Sequence, residues 1–275
     1  MGASAEDRSV FEIVPEPPDD TWRYGPLADQ VADVYLPDSD VSDSAVSDSV
    51  VSDSELAQKL PVVLVHGGYW REHYDRTHLR ALASALAHDG RLVVSLEFRR
   101  IPGNPDATVH DLELALDRLP LLLATHGYEA FALAGHSAGG HLALLLAHRS
   151  TSDALAGCVA LAPVADLVLA DELDLDADAV RAFLGVPARE RPDLDPARQP
   201  APDVPVRVLH GLRDSLVPVG VADAYCAATG IRLDELADCA HFELIDPRSH
   251  AWPHLLMALD GLSAPADAAP PGAVE

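Results

Sequence analysis

This sequence predicts an α/β fold, in which a mainly parallel central sheet carries helices on both faces, with a small cap or surface insertion. Two observations predict it. Short apolar runs, four of them nearly continuous, alternate with longer helix-like stretches, the pattern of strands covered on both sides and joined by right-handed crossovers. The 275 residues are 48% hydrophobic, enough to bury a large core without disulfide or metal staples.

The elements follow in chain order. Residues 1–21 read as an N-terminal extension, with neither the basic start nor the apolar run of a secretory leader. Val31–Leu36 predicts a strand. Residues 38–56 hold a five-residue period, VSDSA-VSDSV-VSDSE over 41–55. Its Ser/Asp composition offers no face worth burying and reads as a disordered insertion, expanding a hairpin loop before the strand Pro61–Val65. Thr77–His88 predicts a helix, Arg91–Phe98 a strand, Ala107–Thr125 a helix and Ala130–Ala134 a strand. Gly140–Arg149 is apolar almost all round and predicts a centrally buried helix. After the strand Gly157–Ala162, the Asp- and Pro-rich residues 168–203 break the rhythm and read as a cap-like insertion. Val204–Leu209 (strand), Val219–Thr229 (helix), Ile231–Leu236 (strand) and Pro253–Leu262 (helix) restore it. The main domain therefore spans 22–262, and residues 263–275 read as a disordered tail.

Charge excludes whole classes of partner. Nineteen Lys and Arg against 44 Asp and Glu leave a formal charge of −25, which repels nucleic acid and anionic membrane surfaces. No stretch approaches the roughly 18 apolar residues of a membrane-crossing helix. Cys158, Cys226 and Cys239 are too few and too scattered for a disulfide scaffold or a zinc site. They read as reduced thiols in a cytoplasmic protein.

The chemistry concentrates in four places. Gly135-His136-Ser137-Ala138-Gly139 follows an apolar strand and opens the buried helix, which is G-x-S-x-G in its strand–turn–helix context. A serine lifted on so sharp a turn brings its neighbours two positions away into near collision, and glycine removes their side chains. His66-Gly67-Gly68-Tyr69-Trp70 directly follows the strand Pro61–Val65. With the N–H of Ala138, the N–H groups of Gly67 and Gly68 form a candidate oxyanion hole, where losing one donor typically costs roughly 3–4 kcal/mol. A serine hydroxyl also needs a base and an acid to orient it. Of 13 histidines, His241 stands out because it follows the last strand. Asp214, just past the preceding strand, is the candidate acid, ahead of Asp238 and Asp246, which lie too close to His241 in sequence to oppose it easily. Tyr69 and Trp70 are candidate substrate contacts, with loop packing as the equal alternative. Glu97-Phe98-Arg99-Arg100 reads as internal ion pairing, and His73 with Asp75 falls short of a metal site.

Together the elbow, the HGG loop, His210-Gly211-x-x-Asp214-x-x-Val217-Pro218 and the late histidine resemble the α/β-hydrolase superfamily of serine hydrolases, over roughly residues 22–262. Within it, the HGGYW run resembles the kynurenine formamidase (arylformamidase)-like esterases more than the hormone-sensitive-lipase group, which carries HGGG. The resemblance implies hydrolysis of a small-molecule ester or aryl formamide, N-formylkynurenine in tryptophan breakdown, by Ser137, Asp214 and His241 with no cofactor and no metal. A general short-chain carboxylesterase or sugar deacetylase is the alternative within the class. A catalytically silent binding protein on the same frame is the alternative outside it. A homodimer is compatible with the reading, and the VSDS repeat has a partner-binding tag as its lesser alternative.

Overall fold

The computed structural model describes residues 6–38 and 59–262. The VSDS repeat and the tail from residue 263 lie outside the described residues. Eight strands form one sheet: β1 Asp20–Arg23, β2 Val31–Tyr35, β3 Val62–Val65, β4 Val93–Leu96, β5 Phe131–His136, β6 Leu155–Leu161, β7 Val206–Gly211 and β8 Leu233–Leu236. Their order is β1-β2-β4-β3-β5-β6-β7-β8. β2 runs antiparallel to both of its neighbours, and every pair from β4 to β8 is parallel.

Among the described residues seven α-helices connect and cover the sheet: α1 Arg80–His88, α2 Pro105–Thr125, α3 Ala138–Arg149, α4 Leu167–Glu172, α5 Ala179–Leu184, α6 Val219–Thr229 and α7 Trp252–Asp260. The period-two geometry of a strand divides the core in two. Val63 and Val65 join one cluster with residues of α2, α3 and α6, while Val62 and Leu64 join a second with residues of α1 and α7. Each apolar strand is thus spent on both faces, which is why these strands read as continuous runs.

The expanded hairpin expected between residues 31–36 and 60–65 is overturned, because β4 lies between β2 and β3. β3 is wholly apolar and fully buried, so it takes a place between two parallel neighbours. β2 carries Asp33 and lies next to the edge strand β1, where the Arg76 guanidinium reaches that carboxylate at 2.8 Å. Residues 168–203 include most of α4, all of α5 and three 3-10 turns, and Phe183, Leu184 and Leu194 enter the core. The N-terminal residues Ser9–Glu12 form a 3-10 turn with Val10 buried and Phe11 packed edge-on against Phe242. Among the described residues no helix is long and apolar enough to cross a membrane.

Candidate active site

The loops that leave β3, β5, β7 and β8 all lie at the C-terminal ends of parallel strands, and chain order reverses between β3 and β5. A crevice at such a switch point is where open α/β sheets place their ligands. Ser137 stands there, between β5 and α3, with φ 59 and ψ −121. A non-glycine residue in that region costs roughly 1–3 kcal/mol and needs a surrounding structure that enforces it. Its N–H donates to the Leu161 carbonyl at 2.8 Å, and its carbonyl accepts from the N–H of His141 at 3.1 Å. The flanking glycines are obligatory by contact. A Cβ on Gly135 would overlap the Gly139 carbonyl, and one on Gly139 would overlap the Val65 carbonyl.

The loop after β3 presses directly on this elbow: a side chain begun at Gly67 would lie 3.1 Å from the Ser137 Cβ. His66 orients the loop. Its Nδ1–H donates to the Gly67 carbonyl at 2.8 Å. In a planar trans peptide this sends the N–H of Gly68 the opposite way. The His66 ring stacks on Phe98 with centroids 4.4 Å apart, and its Nε2 lies 3.3 Å from the Arg100 guanidinium. Arg100 in turn pairs with Glu97, which also accepts the Arg76 N–H at 3.0 Å. Burial alone would raise the Glu97 carboxyl, but the neighbouring His66 and Arg100 pull it down to about 2. With Arg99 on Asp111 at 2.6 Å, the Glu97–Arg100 run is an internal ion-pair network beside the loop after β3.

Gly68 (φ 104), Tyr69 (φ 51) and Trp70 (φ 56) are all left-handed. The turn closes with the Arg71 N–H donating to the Gly68 carbonyl at 3.0 Å, the pattern of a type I′ turn. Tyr and Trp in that region cost roughly 1–2 kcal/mol each, and two contacts hold them there. The Tyr69 hydroxyl donates to the Leu216 carbonyl at 2.7 Å, joining this loop to the one after β7. Trp70 is buried, stacked on Phe183 at 4.7 Å and meeting His141 edge-on at 5.2 Å. Sequence reading leaves Tyr69 and Trp70 equally open as substrate contacts or loop packing; both line a cleft of about 340 Å³ beside α5, but only Tyr69 also reaches Ser137. Tyr69 lines the cavity at Ser137, whereas Trp70 is absent from that wall and anchors the loop to α5.

Asp214 and His241 meet at the far side of the cavity. The imidazole Nδ1 and the Asp214 Oδ2 are 2.6 Å apart, so Nδ1–H donates and Nε2 is left as the basic nitrogen. The other carboxylate oxygen accepts the N–H groups of Leu216 at 2.9 Å and Val217 at 2.8 Å. Both side chains are buried, at 0% and 2% exposed. Burial would raise the Asp214 carboxyl, but hydrogen bonds from His210 and His241 outweigh it and hold the group ionised, far below the usual carboxylate range. Asp238 and Asp246 do not share this bond; Asp246 instead pairs with Arg248 at 2.7 Å.

Ser137 and His241 line one cavity of about 60 Å³, with Tyr69, His78, Arg8 and Phe11 among its walls. No hydrogen bond joins the serine hydroxyl to the imidazole among the described residues. The N–H groups of Gly67, Gly68 and Ala138 likewise have no partner among them. Arg8, Phe11 and His78 also line an adjoining cleft of about 600 Å³.

Two histidines that sequence reading passed over belong to the site. His136 Nε2–H donates to the His241 carbonyl at 3.1 Å, with the two rings 4.5 Å apart. Burial, then the charges of His241 and His78, push it well below the ordinary histidine value, so it is neutral. Burial likewise pushes His78 down to about 3. The position of His136 inside the elbow was the one available signal for it, while His78 carried none.

Structures of known proteins share this frame. Esterase B from Lactobacillus rhamnosis, bearing a tributyrin phosphonate, superimposes with a TM-score of 0.69 at 19% identity, covering 92% of this chain and 90% of that one. A thermophilic esterase from Thermogutta terrifontis gives 0.64 at 20% identity over 89% and 92%. A truncated carbohydrate esterase from gut microbiota gives 0.67 at 16% identity over 90% and 99%. No curated protein matches the sequence significantly. A family model described as alpha/beta hydrolase fold matches residues 62–225, from β3 through the elbow into α6, and the chain therefore belongs to the alpha/beta hydrolase fold family.

Proposed function

We propose that this protein is a serine hydrolase that cleaves carboxylic esters of short acyl groups. The observation that carries the reading is the 2.6 Å Asp214–His241 bond opening on the same small cavity as the strained Ser137. The Ser137 hydroxyl and the free Nε2 of His241 border the same cavity, and a nucleophile–base contact commonly tightens only with substrate bound. Ser137 Oγ then attacks the acyl carbon while His241 takes its proton. Asp214, ionised and locked by two backbone N–H groups, stabilises the imidazolium. The developing oxyanion is held by the N–H groups of Gly67, Gly68 and Ala138. His241 next protonates the leaving alcohol, and water, deprotonated by His241, releases the acid and restores Ser137.

Size supports the short acyl group. A cavity of about 60 Å³ accepts a formyl, acetyl or similar group, far less than the roughly 300–1,000 Å³ of a site that swallows a drug-sized ligand. The adjoining cleft of about 600 Å³ leaves room for a bulkier leaving group. Esterase B and the carbohydrate esterase support ester chemistry by likeness of frame. The three free, buried cysteines fit the cytoplasmic setting expected from composition. The HGGYW run and the same small cavity favour a second reading, a kynurenine formamidase-like enzyme acting on aryl formamides.

The deciding experiment is a substrate panel of p-nitrophenyl acetate, butyrate and octanoate, acetylated sugars and N-formylkynurenine, run on the wild type and on Ser137→Ala. Turnover of acetate over octanoate, lost in the variant, supports the proposal. Formamide cleavage with poor ester turnover selects the second reading. A folded protein that turns over nothing and takes no fluorophosphonate label defeats both.

A further inference from the structure

We infer that Glu6, in the N-terminal segment ahead of the sheet, is a positioning residue that ties together the two loops bearing Asp214 and His241. The inference rests on the serine-hydrolase reading above and extends its machinery to a segment that the family match, residues 62–225, does not include. Both oxygens of the Glu6 carboxylate are engaged. Oε1 accepts the N–H and the hydroxyl of Ser215, each at 2.7 Å, and Ser215 is the residue after Asp214. Oε2 accepts the N–H of His241 at 3.0 Å. One side chain therefore touches the neighbour of the acid and the backbone of the base. Hydrogen bonds to an ionised acceptor are roughly twice as strong as neutral ones.

The contact pins His241 from one side while the elbow pins it from the other. Its N–H donates to Glu6, and its carbonyl accepts from His136 Nε2. With both flanking peptide groups held, the ring has little freedom beyond its own torsions, and the Nδ1 bond to Asp214 fixes those. The segment that carries Glu6 is itself anchored. Val10 is buried, the Phe11 ring lies 5.1 Å from Phe242, the Arg248 guanidinium donates to Ser9 Oγ at 3.0 Å, and Arg8 stands over the Phe242 ring at 5.1 Å. Phe242 is the residue after His241, so the same segment packs against the histidine loop as well as bonding it. Charge matters as well as shape at Glu6. All three of its partners donate, so an amide in its place turns an NH₂ toward a donor.

The test uses the full chain as wild type, Glu6→Gln, Glu6→Ala and Ser137→Ala. Four quantities are read: the rate of inactivation by a fluorophosphonate probe, kcat and KM on p-nitrophenyl acetate, and Tm. Wild-type labelling that Ser137→Ala abolishes establishes the underlying reading. Glu6→Gln then lowers both the labelling rate and kcat by about tenfold or more, with KM within about twofold and Tm within a few degrees, because misplacing a catalytic group by about 1 Å costs up to about a hundredfold. Glu6→Ala shows the same split. Unchanged labelling and kcat in both variants overturn the role of Glu6 while leaving the hydrolase reading intact. So does a loss that only tracks the unfolded fraction, which marks a merely structural contact. A wild type that neither labels nor turns over ester overturns the two together.

Discussion

Ser137 and the loop after β3 stand over the middle of the sheet, between β3 and β5, whereas Asp214 and His241 stand over the β7–β8 edge. In the middle every strand residue of β3 and β5 is buried, and the turn geometry is dictated by close main-chain approaches, Gly135 against Gly139 and Gly139 against Val65. At the edge β8 is mostly half-buried or exposed, and its loop is held by partners as far as 235 positions away. The middle is therefore rigid because no room exists for another arrangement. The edge is ordered by a small number of specific hydrogen bonds. A site split in this way holds Ser137 fixed by packing and Asp214 and His241 by hydrogen bonds.

The largest expected effect tests the edge by chemistry. Asp214→Asn leaves the packing intact but presents the wrong partner to His241 Nδ1, and kcat on p-nitrophenyl acetate should fall about 10⁴-fold with little change in Tm. A fall of under tenfold would move the acid elsewhere.

Acid titration separates the halves by stability. His78 and His136, beside the elbow, and His141, in α3, are all pushed below the ordinary value of 6.5, by burial first, His78 to about 3 and His141 to about 4. The unfolded chain therefore binds protons that the folded chain refuses. Stability contributed by their neutrality is complete above about pH 6.5 and is lost as pH falls toward 4, at about 1.4 kcal/mol per pH unit for each histidine. Denaturant unfolding from pH 7 to 4 should show this slope, and His78→Phe should make it shallower by about one proton; an unchanged slope would exclude His78 as a contributor.

Trp70→Ala removes the anchor of the loop after β3 and should cost roughly 3–5 kcal/mol in urea unfolding. Gly139→Ala drives a Cβ into main-chain carbonyls of the β3 loop, with an expected loss of about 3 kcal/mol. At the edge, Glu235→Ala on exposed β8 should stay within about 0.5 kcal/mol. If Glu235→Ala cost as much as Gly139→Ala, the contrast between a packed middle and a bonded edge would fail.

Legibility followed the same division. β3, β5 and the buried helix α3 were readable because apolar runs and the glycine spacing are local signals. Asp214 and His241 were readable from their places after the last two strands, since chain order in a parallel sheet dictates which loops share an end. The place of β2 was misread, because adjacency in sequence suggested a hairpin and β4 enters between β2 and β3 from later in the chain. The parting of Tyr69 from Trp70 was also hidden. It depends on Phe183 and His141, which approach from α5 and α3.

The amino-acid sequence by itself determined the α/β frame, the strained serine turn and the order in which nucleophile, acid and base candidates occur, because periodicity and short-range sterics are properties of the chain. Only the tertiary structure decided which buried histidines lie around His241, that Tyr69 rather than Trp70 reaches the cavity at Ser137, and that Glu6 reaches across 235 positions to the His241 N–H. Those contacts join residues with no pattern in common, and they exist only once the sheet and its helices have brought distant segments within hydrogen-bonding distance.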